Sequence, residues 1–190
     1  IDVVRVSLGA ADGPDVLTYA ESGVGESQIR FLAGLGHRHI GYAYPDEPQV
    51  ATFAIRRLEG ARYACRDVGL PELEVRTVGI RRADVTDTVR SWVGPDTRIT
   101  AIAAFNDLLA FAVIAGLREN GLAVPGDIAV IGVDNDPIGD LVSPTITTIE
   151  TPYATTAEQV VARLVSGPGG LPVGEAVESL PKVIVRESAR

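Results

Sequence analysis

The sequence has few of the residues that build covalent or metal-bound frameworks. Among its 190 residues there are one cysteine, two histidines and no methionine. A single thiol, Cys65, cannot form an internal disulfide, and His37 and His39 are too few for a zinc cluster of Cys and His ligands. We therefore predict neither a disulfide framework nor a metal site. Cys65 lies on the apolar stripe of a predicted helix, so we interpret it as an inert core thiol.

Long apolar runs and an excess of positive charge are also absent. The longest apolar stretches, such as residues 108–117, are too short to span a bilayer, and no secretory leader pattern opens the chain. Lys and Arg number 17 against 25 Asp and Glu, which gives a formal net charge of −8. That sign disfavours a surface that binds phosphates, so we predict that this polypeptide binds neither nucleic acid nor membrane. The start at Ile1 without any methionine predicts a piece of a longer protein or a processed chain.

The residues that are present predict an α/β fold. Hydrophobic residues make up 46% of the chain, and its length is sufficient to bury a core without disulfides. From residue 24 onward, apolar β-branched runs alternate with helical periodicity, which is typical of a doubly wound, mostly parallel sheet with helices on both faces. Predicted helices cover 25–35, 47–68, 83–93, 107–120 and 153–165. Predicted strands cover 39–44, 73–78, 99–105, 128–133, 145–150 and 182–186.

Candidate binding residues follow from the geometry of such a sheet. Ligands of open α/β sheets bind beyond the carboxyl ends of the strands, which selects the loops after residues 44, 78, 105 and 133. Arg57, Asn106 and Asp134 then offer a guanidinium, an amide and a carboxylate to one rim. These groups bind hydroxyl-rich ligands without needing to react with them. Two simpler interpretations stay open, because Asn106 suits a helix cap and Asp134 suits a turn.

Patterns typical of enzymes are missing from the chain. It has no Gly-x-Ser-x-Gly elbow, no Walker loop, no dinucleotide fingerprint after its first strand and no His-Glu-x-x-His. His37 follows a glycine at a strand start, away from the rim, which favours a structural or surface role. Asp134 and Asp136 have no further acidic cluster nearby to complete a cation site. We therefore predict no catalytic residue, no metal and no cofactor.

Six motifs, in order and in register, resemble the LacI/GalR family of bacterial repressors. The resemblance covers about 22–190. The motifs are Leu-Gly-His-Arg-His-Ile-Gly at 35–41, Arg-Leu-Glu-Gly at 57–60, Phe-Asn-Asp-Leu-Leu-Ala at 105–110, the segment from Gly-Leu-Ala-Val-Pro-Gly-Asp to Gly-Val-Asp-Asn at 121–135, Pro-Thr-Ile-Thr-Thr-Ile at 144–149, and Val-Arg-Glu-Ser at 185–188.

The resemblance implies a periplasmic-binding-protein-like module of type I, with two lobes, a ligand cleft between them and a homodimer. It assigns 1–19 to a remnant of the first lobe and 20–150 to a complete second lobe. It assigns 151–180 to a first-lobe segment after a crossover and 181–190 to a C-terminal strand that returns to the second lobe. The helix-turn-helix head that binds operator DNA in this family has no counterpart here. DNA binding is therefore expected only of a parent protein.

Matching the family's motifs residue by residue carries its effector contacts onto this chain. They fall on Arg57, Asn106 and Asp134, which the strand-end rule also selects. Tyr153 matches a position where an aromatic residue often borders the cleft, although a packing role at a helix start remains the alternative. The family usually has Asp-Asn near residue 20, where this chain has Ala-Glu-Ser at 20–22. That departure puts the usual contacts between the lobes in doubt.

The resemblance implies the ligand-sensing and dimerising domain of a cytoplasmic LacI-type repressor that binds a sugar or related metabolite. A solute-binding protein for sugar uptake and an α/β enzyme are the alternatives. Arg81 and Arg82 fall in a loop that faces the cleft in such folds. They indicate either an anionic effector or ordinary solvated surface charge, and we prefer the second interpretation. The helix after Asn106 is apolar on most sides, which predicts self-association through this lobe.

Overall fold

The computed structural model describes residues 5–7, 16–18, 21–94, 98–151, 158, 161 and 181–190. Two short strands, β1 (Arg5–Ser7) and β2 (Val16–Thr18), pair in parallel. A second, four-stranded sheet is parallel throughout and has the order β4-β3-β5-β6. Its strands are β3 (Ile40–Pro45), β4 (Glu74–Val78), β5 (Ala101–Ala104) and β6 (Ala129–Ile131). All four carboxyl ends therefore lie at one edge of this sheet.

Helices cover both faces of the four-stranded sheet. They are α1 (Glu21–Gly34), α2 (Ala51–Asp67), α3 (Arg82–Trp92) and α4 (Asp107–Glu119). Along β5, Ile102 and Ala104 point into the core shared with α3 and α4, whereas Ala101 and Ala103 point into the core shared with α1 and α2. Every residue of β5 is buried, as expected for a strand covered on both sides. The predicted parallel, doubly wound sheet is confirmed.

Helix α1 begins four residues earlier than the predicted helix 25–35. Two glycines, Gly23 and Gly25, weaken the local helical signal because glycine disfavours helices. The tertiary structure requires one of them, since a Cβ on Gly25 would lie 1.8 Å from the carbonyl oxygen of Arg57. A Cβ on Gly60 of α2 would lie equally close to the carbonyl oxygen of Ser22. Close packing of α1 on α2 therefore explains both glycines.

The predicted strand 145–150 is partly wrong. Only Thr148–Glu150 forms a strand, β7, and it pairs antiparallel with β8 (Lys182–Ile184). Ile131 and Thr147 form an isolated bridge. The N–H of Gly132 donates to the carbonyl of Thr147, and the N–H of Ile149 donates to the carbonyl of Gly132, so the segment also runs parallel to the end of β6. The N–H of Thr147 donates to the hydroxyl of Ser188 in the C-terminal segment.

The other element boundaries shift by a few residues. The strands predicted at 99–105 and 128–133 are shorter at both ends. The helix predicted at 47–68 starts as a 3₁₀ turn, Pro48–Val50, and becomes α-helical at Ala51. The strand predicted at 73–78 begins at Glu74. The helix predicted at 153–165 falls almost wholly outside the described residues.

Cys65 and His37 take the structural positions that the sequence predicts. Cys65 is 3% exposed and unbridged on the buried face of α2, and burial raises the pKa of its thiol. His37 Nδ1 lies 2.9 Å from the hydroxyl of Thr100, which precedes β5, so it is at the edge opposite the carboxyl ends of the strands. Across the described ranges, no helix combines the length and apolarity needed to cross a bilayer.

Candidate functional site

Arg57 lies on the buried face of α2, beneath the carboxyl end of β5. It is only 2% exposed. Its Nε donates to Glu21 Oε2 at 2.5 Å, and its Nη1 donates to the carbonyl oxygen of Phe105 at 2.7 Å. The guanidinium carbon also stands 4.7 Å from the centroid of the Phe105 ring. A buried guanidinium requires such partners, because leaving it unpaired away from water is costly.

Asp134 meets this guanidinium from the loop after β6. Arg57 Nη2 lies 3.4 Å from Asp134 Oδ1, and the side chain of Asp134 is 36% exposed. Two residues selected from the sequence, separated by 77 positions, are therefore brought together at the carboxyl edge of the sheet. The pair joins a fixed, buried donor group to a carboxylate that is accessible to solvent.

Asn106 caps α4. Its Oδ1 accepts a hydrogen bond from the backbone N–H of Leu109 at 2.9 Å, so the helix-cap interpretation is confirmed. The cap employs the amide oxygen, whereas the amide nitrogen supplies two N–H donors. Capping and ligand contact are therefore compatible in one side chain. Tyr153, the fourth predicted site residue, lies outside the described residues.

The loop that carries Asp134 has an unusual backbone that its neighbours hold in place. Asp134 has φ 101° and Asn135 has φ 53°, a region that non-glycine residues rarely adopt. The Asp134 N–H donates to the carbonyl of Ile149 at 2.8 Å. The guanidinium of Arg186 donates to Asn135 Oδ1 at 2.8 Å. These contacts stabilise a strained loop, as is common where a side chain must point at a ligand.

Asp107 fixes the same loop from below. It is 1% exposed, and its carboxylate accepts hydrogen bonds from the hydroxyl of Thr148 at 2.7 Å and from the backbone N–H of Asp136 at 2.8 Å. Burial raises the pKa of Asp107 to about 6, although these two hydrogen bonds act to lower it. A Cβ on Gly132 would lie 2.0 Å from Asp107 Oδ1, so this fit requires glycine at 132. Asp107 is a positioning residue that the sequence selection overlooked.

Gln28 ties α1 to the ends of two strands. It is fully buried, and its Nε2 donates to the carbonyl of Ala104 at 2.8 Å, with longer contacts to Ile131 and Gly132. Carbonyls at the end of a strand have lost their ladder partners, so this amide satisfies groups that would otherwise be unpaired in the core. Nothing in the helical periodicity of α1 marks Gln28 for this role.

Glu21 is the other residue of the site that the sequence selection did not choose. It occupies the first turn of α1, is fully buried and binds Arg57. Burial is the main cause that raises the pKa of its carboxyl, and the guanidinium of Arg57 opposes the rise. The signal in the sequence that points to Glu21 is the replacement of the family's usual Asp-Asn by Ala-Glu-Ser at 20–22.

Arg81 and Arg82 lie on the surface. Both are exposed at the start of α3. The guanidinium of Arg82 donates to the carboxylate of Glu119 on α4, and its side chain is 84% exposed. The surface-charge interpretation of Arg82 is therefore confirmed. Within the described part of the chain, no three His, Cys, Asp or Glu residues are grouped so as to hold a metal ion.

Comparisons with known proteins give a consistent result. A family model described as a periplasmic binding protein-like domain matches residues 29–189. The HTH-type transcriptional regulator GalS of Salmonella typhimurium is 31% identical over 144 residues, which are 74% of this chain and 42% of that protein. The NTD biosynthesis operon regulator NtdR of Bacillus subtilis is 31% identical over 178 residues, which are 91% of this chain and 53% of that protein. The chain thus spans about half the length of these relatives.

A solved structure matches the fold over almost the whole chain. It is a sugar-binding transcriptional regulator of the LacI family from Escherichia coli, complexed with phosphate. The TM-score is 0.83 at 20% sequence identity, and the match covers 97% of this chain and 67% of the other. At that identity the likeness establishes the fold, and the chemistry of the site is argued from the residues of this chain.

Proposed function

Since the chain belongs to the periplasmic binding protein-like domain family, we propose that it is the effector-sensing and dimerising region of a LacI-type transcriptional repressor. The predicted resemblance to effector-binding regions of LacI/GalR regulators is confirmed, and the relatives named are regulators rather than enzymes. The observation that carries the proposal is the contact between Arg57 and Asp134 at the carboxyl edge of the parallel sheet. That edge is where open α/β folds bind their ligands.

The ligand we propose is a sugar or a related polar metabolite. The carboxylate of Asp134 accepts hydrogen bonds from hydroxyl groups, the guanidinium of Arg57 fixes that carboxylate, and the amide nitrogen of Asn106 donates. Tyr153 is proposed to contribute an aromatic edge, as the family resemblance implies. Hydroxyl groups both donate and accept, so they match such a mixed set of groups. We propose binding without chemical turnover.

Effector binding is proposed to act by shifting a population of lobe arrangements. A ligand that contacts both lobes favours the arrangement in which those contacts form, and it changes the spacing of the DNA-binding heads of the parent dimer. The strained Asp134 loop supports this proposal, because α4, β7 and the C-terminal segment all contact it. A repressor of this kind acts in the cytoplasm, which is where we place the parent protein.

A second copy of this chain is the partner that we propose for the face formed by α3 and α4. Leu108, Ala112 and Ala115 follow one another at helical spacing on α4, and Leu108 is half exposed. A largely apolar groove runs between α3 and α4, and Ile80 at its margin is 54% exposed. Exposed apolar surface of this kind marks interfaces.

The test of the site is ligand binding by an Asp134→Asn variant. Asparagine keeps the size of the side chain and tolerates the positive φ of residue 134, but it removes the charge. Arg57→Ala is a poorer test, because it would leave buried Glu21 without its cation. Asp87→Asn is the matched control, since Asp87 is 74% exposed in a surface pair with Arg90.

The measurement is thermal unfolding of the chain with neutral sugars, nucleosides and purines, followed by calorimetry of any hit. A ligand at 100 times its dissociation constant adds about 2.7 kcal/mol, or roughly 5–10 °C for a protein of this size. We expect the affinity to fall at least tenfold, or about 1.4 kcal/mol, in Asp134→Asn and to be unchanged in Asp87→Asn. Equal affinities in all three proteins would remove Asp134 from the site, and a panel without any hit would contradict the proposed ligand class.

A further inference from the structure

We propose that Glu21 determines the charge of the ligand: by pairing with Arg57, it makes the site select a neutral, hydroxyl-rich molecule over one that bears a phosphate or a carboxylate. This inference rests on the proposed function, because it concerns the same site. It goes further by naming the class of ligand and the residue that sets it.

The first step is the geometry of the pair. Glu21 Oε2 lies 2.5 Å from Arg57 Nε, and both side chains are almost completely buried. Glu21 opens α1, where the helix dipole favours an anion. Arg57 therefore has a fixed anionic partner inside the protein. A ligand phosphate would have to compete with that partner for a guanidinium that is already paired.

The second step is the charge balance around the guanidinium. Arg57 contacts two carboxylates, Glu21 at 2.5 Å and Asp134 at 3.4 Å, and each contributes one negative charge against its single positive charge. The carboxylate of Asp107 lies beneath the same loop. Like charges repel, so an anionic group placed beside Asp134 would be disfavoured. A neutral hydroxyl group carries no such penalty.

The third step is an unmatched acceptor. In the ranges that the structure describes, no hydrogen-bond donor reaches Glu21 Oε1, although this atom is buried. The hydroxyl of Tyr42 is likewise buried without a partner there, and burial raises its pKa, while the charge of Arg57 acts to lower it and that of Glu21 to raise it. A buried carboxylate oxygen without a donor keeps its full negative charge beside Arg57, which makes this part of the site less favourable for an anionic ligand.

The fourth step concerns the other arginines near the rim. Arg186 donates to Asn135 beside Asp134, and its charge is paired with the carboxylate of Asp140. Arg81 and Arg82 are exposed, and Arg82 binds Glu119 on the outer face of α3 and α4. Arg82 lines the groove between these helices, on the face opposite α1 and α2. It therefore does not offset the carboxylates that contact Arg57.

The experiment uses inorganic phosphate as its probe and Glu21→Gln as the variant. Glutamine is nearly the same size and still accepts from Arg57 Nε through its amide oxygen, but it carries no charge. Glu26→Gln is the matched control, because it removes the same charge from the same helix at a surface pair with Arg30. Thermal unfolding and calorimetry are run in phosphate and in chloride of equal ionic strength.

We expect phosphate to bind Glu21→Gln at least tenfold more tightly than it binds the wild-type chain or Glu26→Gln. Adding Arg57→Gln to Glu21→Gln should abolish this gain, which would locate the anion at the guanidinium. Phosphate binding by the wild-type chain that Glu21→Gln does not improve would overturn the proposal. An equal gain in Glu26→Gln would also overturn it, since the effect would then reflect net charge alone.

A second measurement keeps the inference testable if Glu21→Gln does not fold. The wild-type chain is titrated with neutral sugars, each beside its own phosphate ester and its own uronic acid. We expect the anionic members to bind at least tenfold more weakly than the neutral one, and a tighter anionic member would refute the selection. If no sugar binds, the proposed function fails; where Glu21→Gln folds, the phosphate comparison decides the role of Glu21 separately.

Discussion

At the scale of the residue, Asp107 links the acidity of a buried carboxyl to the loop that holds Asp134. Its pKa of about 6 in the folded chain lies above the ordinary value of 3.8. The folded state therefore binds this proton more tightly than the unfolded state does. The contribution of Asp107 to the free energy of unfolding is largest below pH 4 and falls as the pH rises towards 6.

Asp107→Asn is expected to remove that pH dependence. Asparagine does not titrate, and its amide oxygen still accepts the N–H of Asp136. Between pH 4 and pH 7, the free energy of unfolding of the wild-type chain should fall relative to that of the variant by up to about 3 kcal/mol. This limit follows because the pKa of Asp107 differs by about two units between the folded and unfolded chain, and each unit corresponds to about 1.36 kcal/mol. Urea unfolding of both proteins at each pH gives the comparison. Parallel pH curves would show that Asp107 does not titrate in this range.

Arg57 and Asp134 could be selected from the sequence as candidate site residues, whereas Glu21 and Asp107 could not. The first two follow strand-end and motif positions, which are features of local order along the chain. Glu21 opens a helix, and Asp107 follows a helix cap, where an acidic residue is commonplace. Their roles depend on burial and on partners 36 and 41 residues away. No local pattern encodes those distances.

At the scale of the element, the contact of α1 with α2 depends on glycines at 25 and 60. Gly25→Ala would place a methyl group 1.8 Å from the carbonyl oxygen of Arg57, which belongs to a backbone that cannot yield locally. We expect a loss of at least about 2 kcal/mol in the free energy of unfolding, because the two helices must move apart. That separation should also displace Arg57 from Glu21.

Gly34→Ala is the control for this prediction. Gly34 lies in the same helix, a Cβ added to it would meet no atom within 4 Å, and its φ is not positive. Alanine favours the helix there, so stability should be unchanged or higher by about 0.5 kcal/mol. Chemical denaturation of both variants distinguishes the two positions. Unchanged or higher stability in both variants would show that helix propensity, rather than close packing, governs α1.

At the scale of the whole molecule, self-association through α3 and α4 is the feature to test. Ile80→Glu places a charge at the margin of the groove between these helices, where Ile80 is 54% exposed. Since burying an unpaired charge in an apolar interface is costly, we expect dimer dissociation to become at least tenfold easier, or about 1.4 kcal/mol. Sedimentation equilibrium measures the dissociation constant directly.

Ile55→Glu makes the same chemical change on α2, where Ile55 is 50% exposed. It should leave the dissociation constant unchanged. Equal effects of the two substitutions would point to another contact surface, and a wild-type chain that stays monomeric at high concentration would contradict the proposed dimer.

The sequence by itself determined the fold class and the parallel sheet, and it selected Arg57 and Asp134 as candidate site residues, because periodicity and motif spacing are properties of neighbouring residues. The tertiary structure alone decided how α1 packs on α2, where the segment 145–150 pairs, and which carboxylates surround the guanidinium. These depend on close approach between distant segments and on exclusion of water. The pairing of Glu21 with Arg57 is of this second kind, since a buried charge selects its partner only once the chain has folded around it.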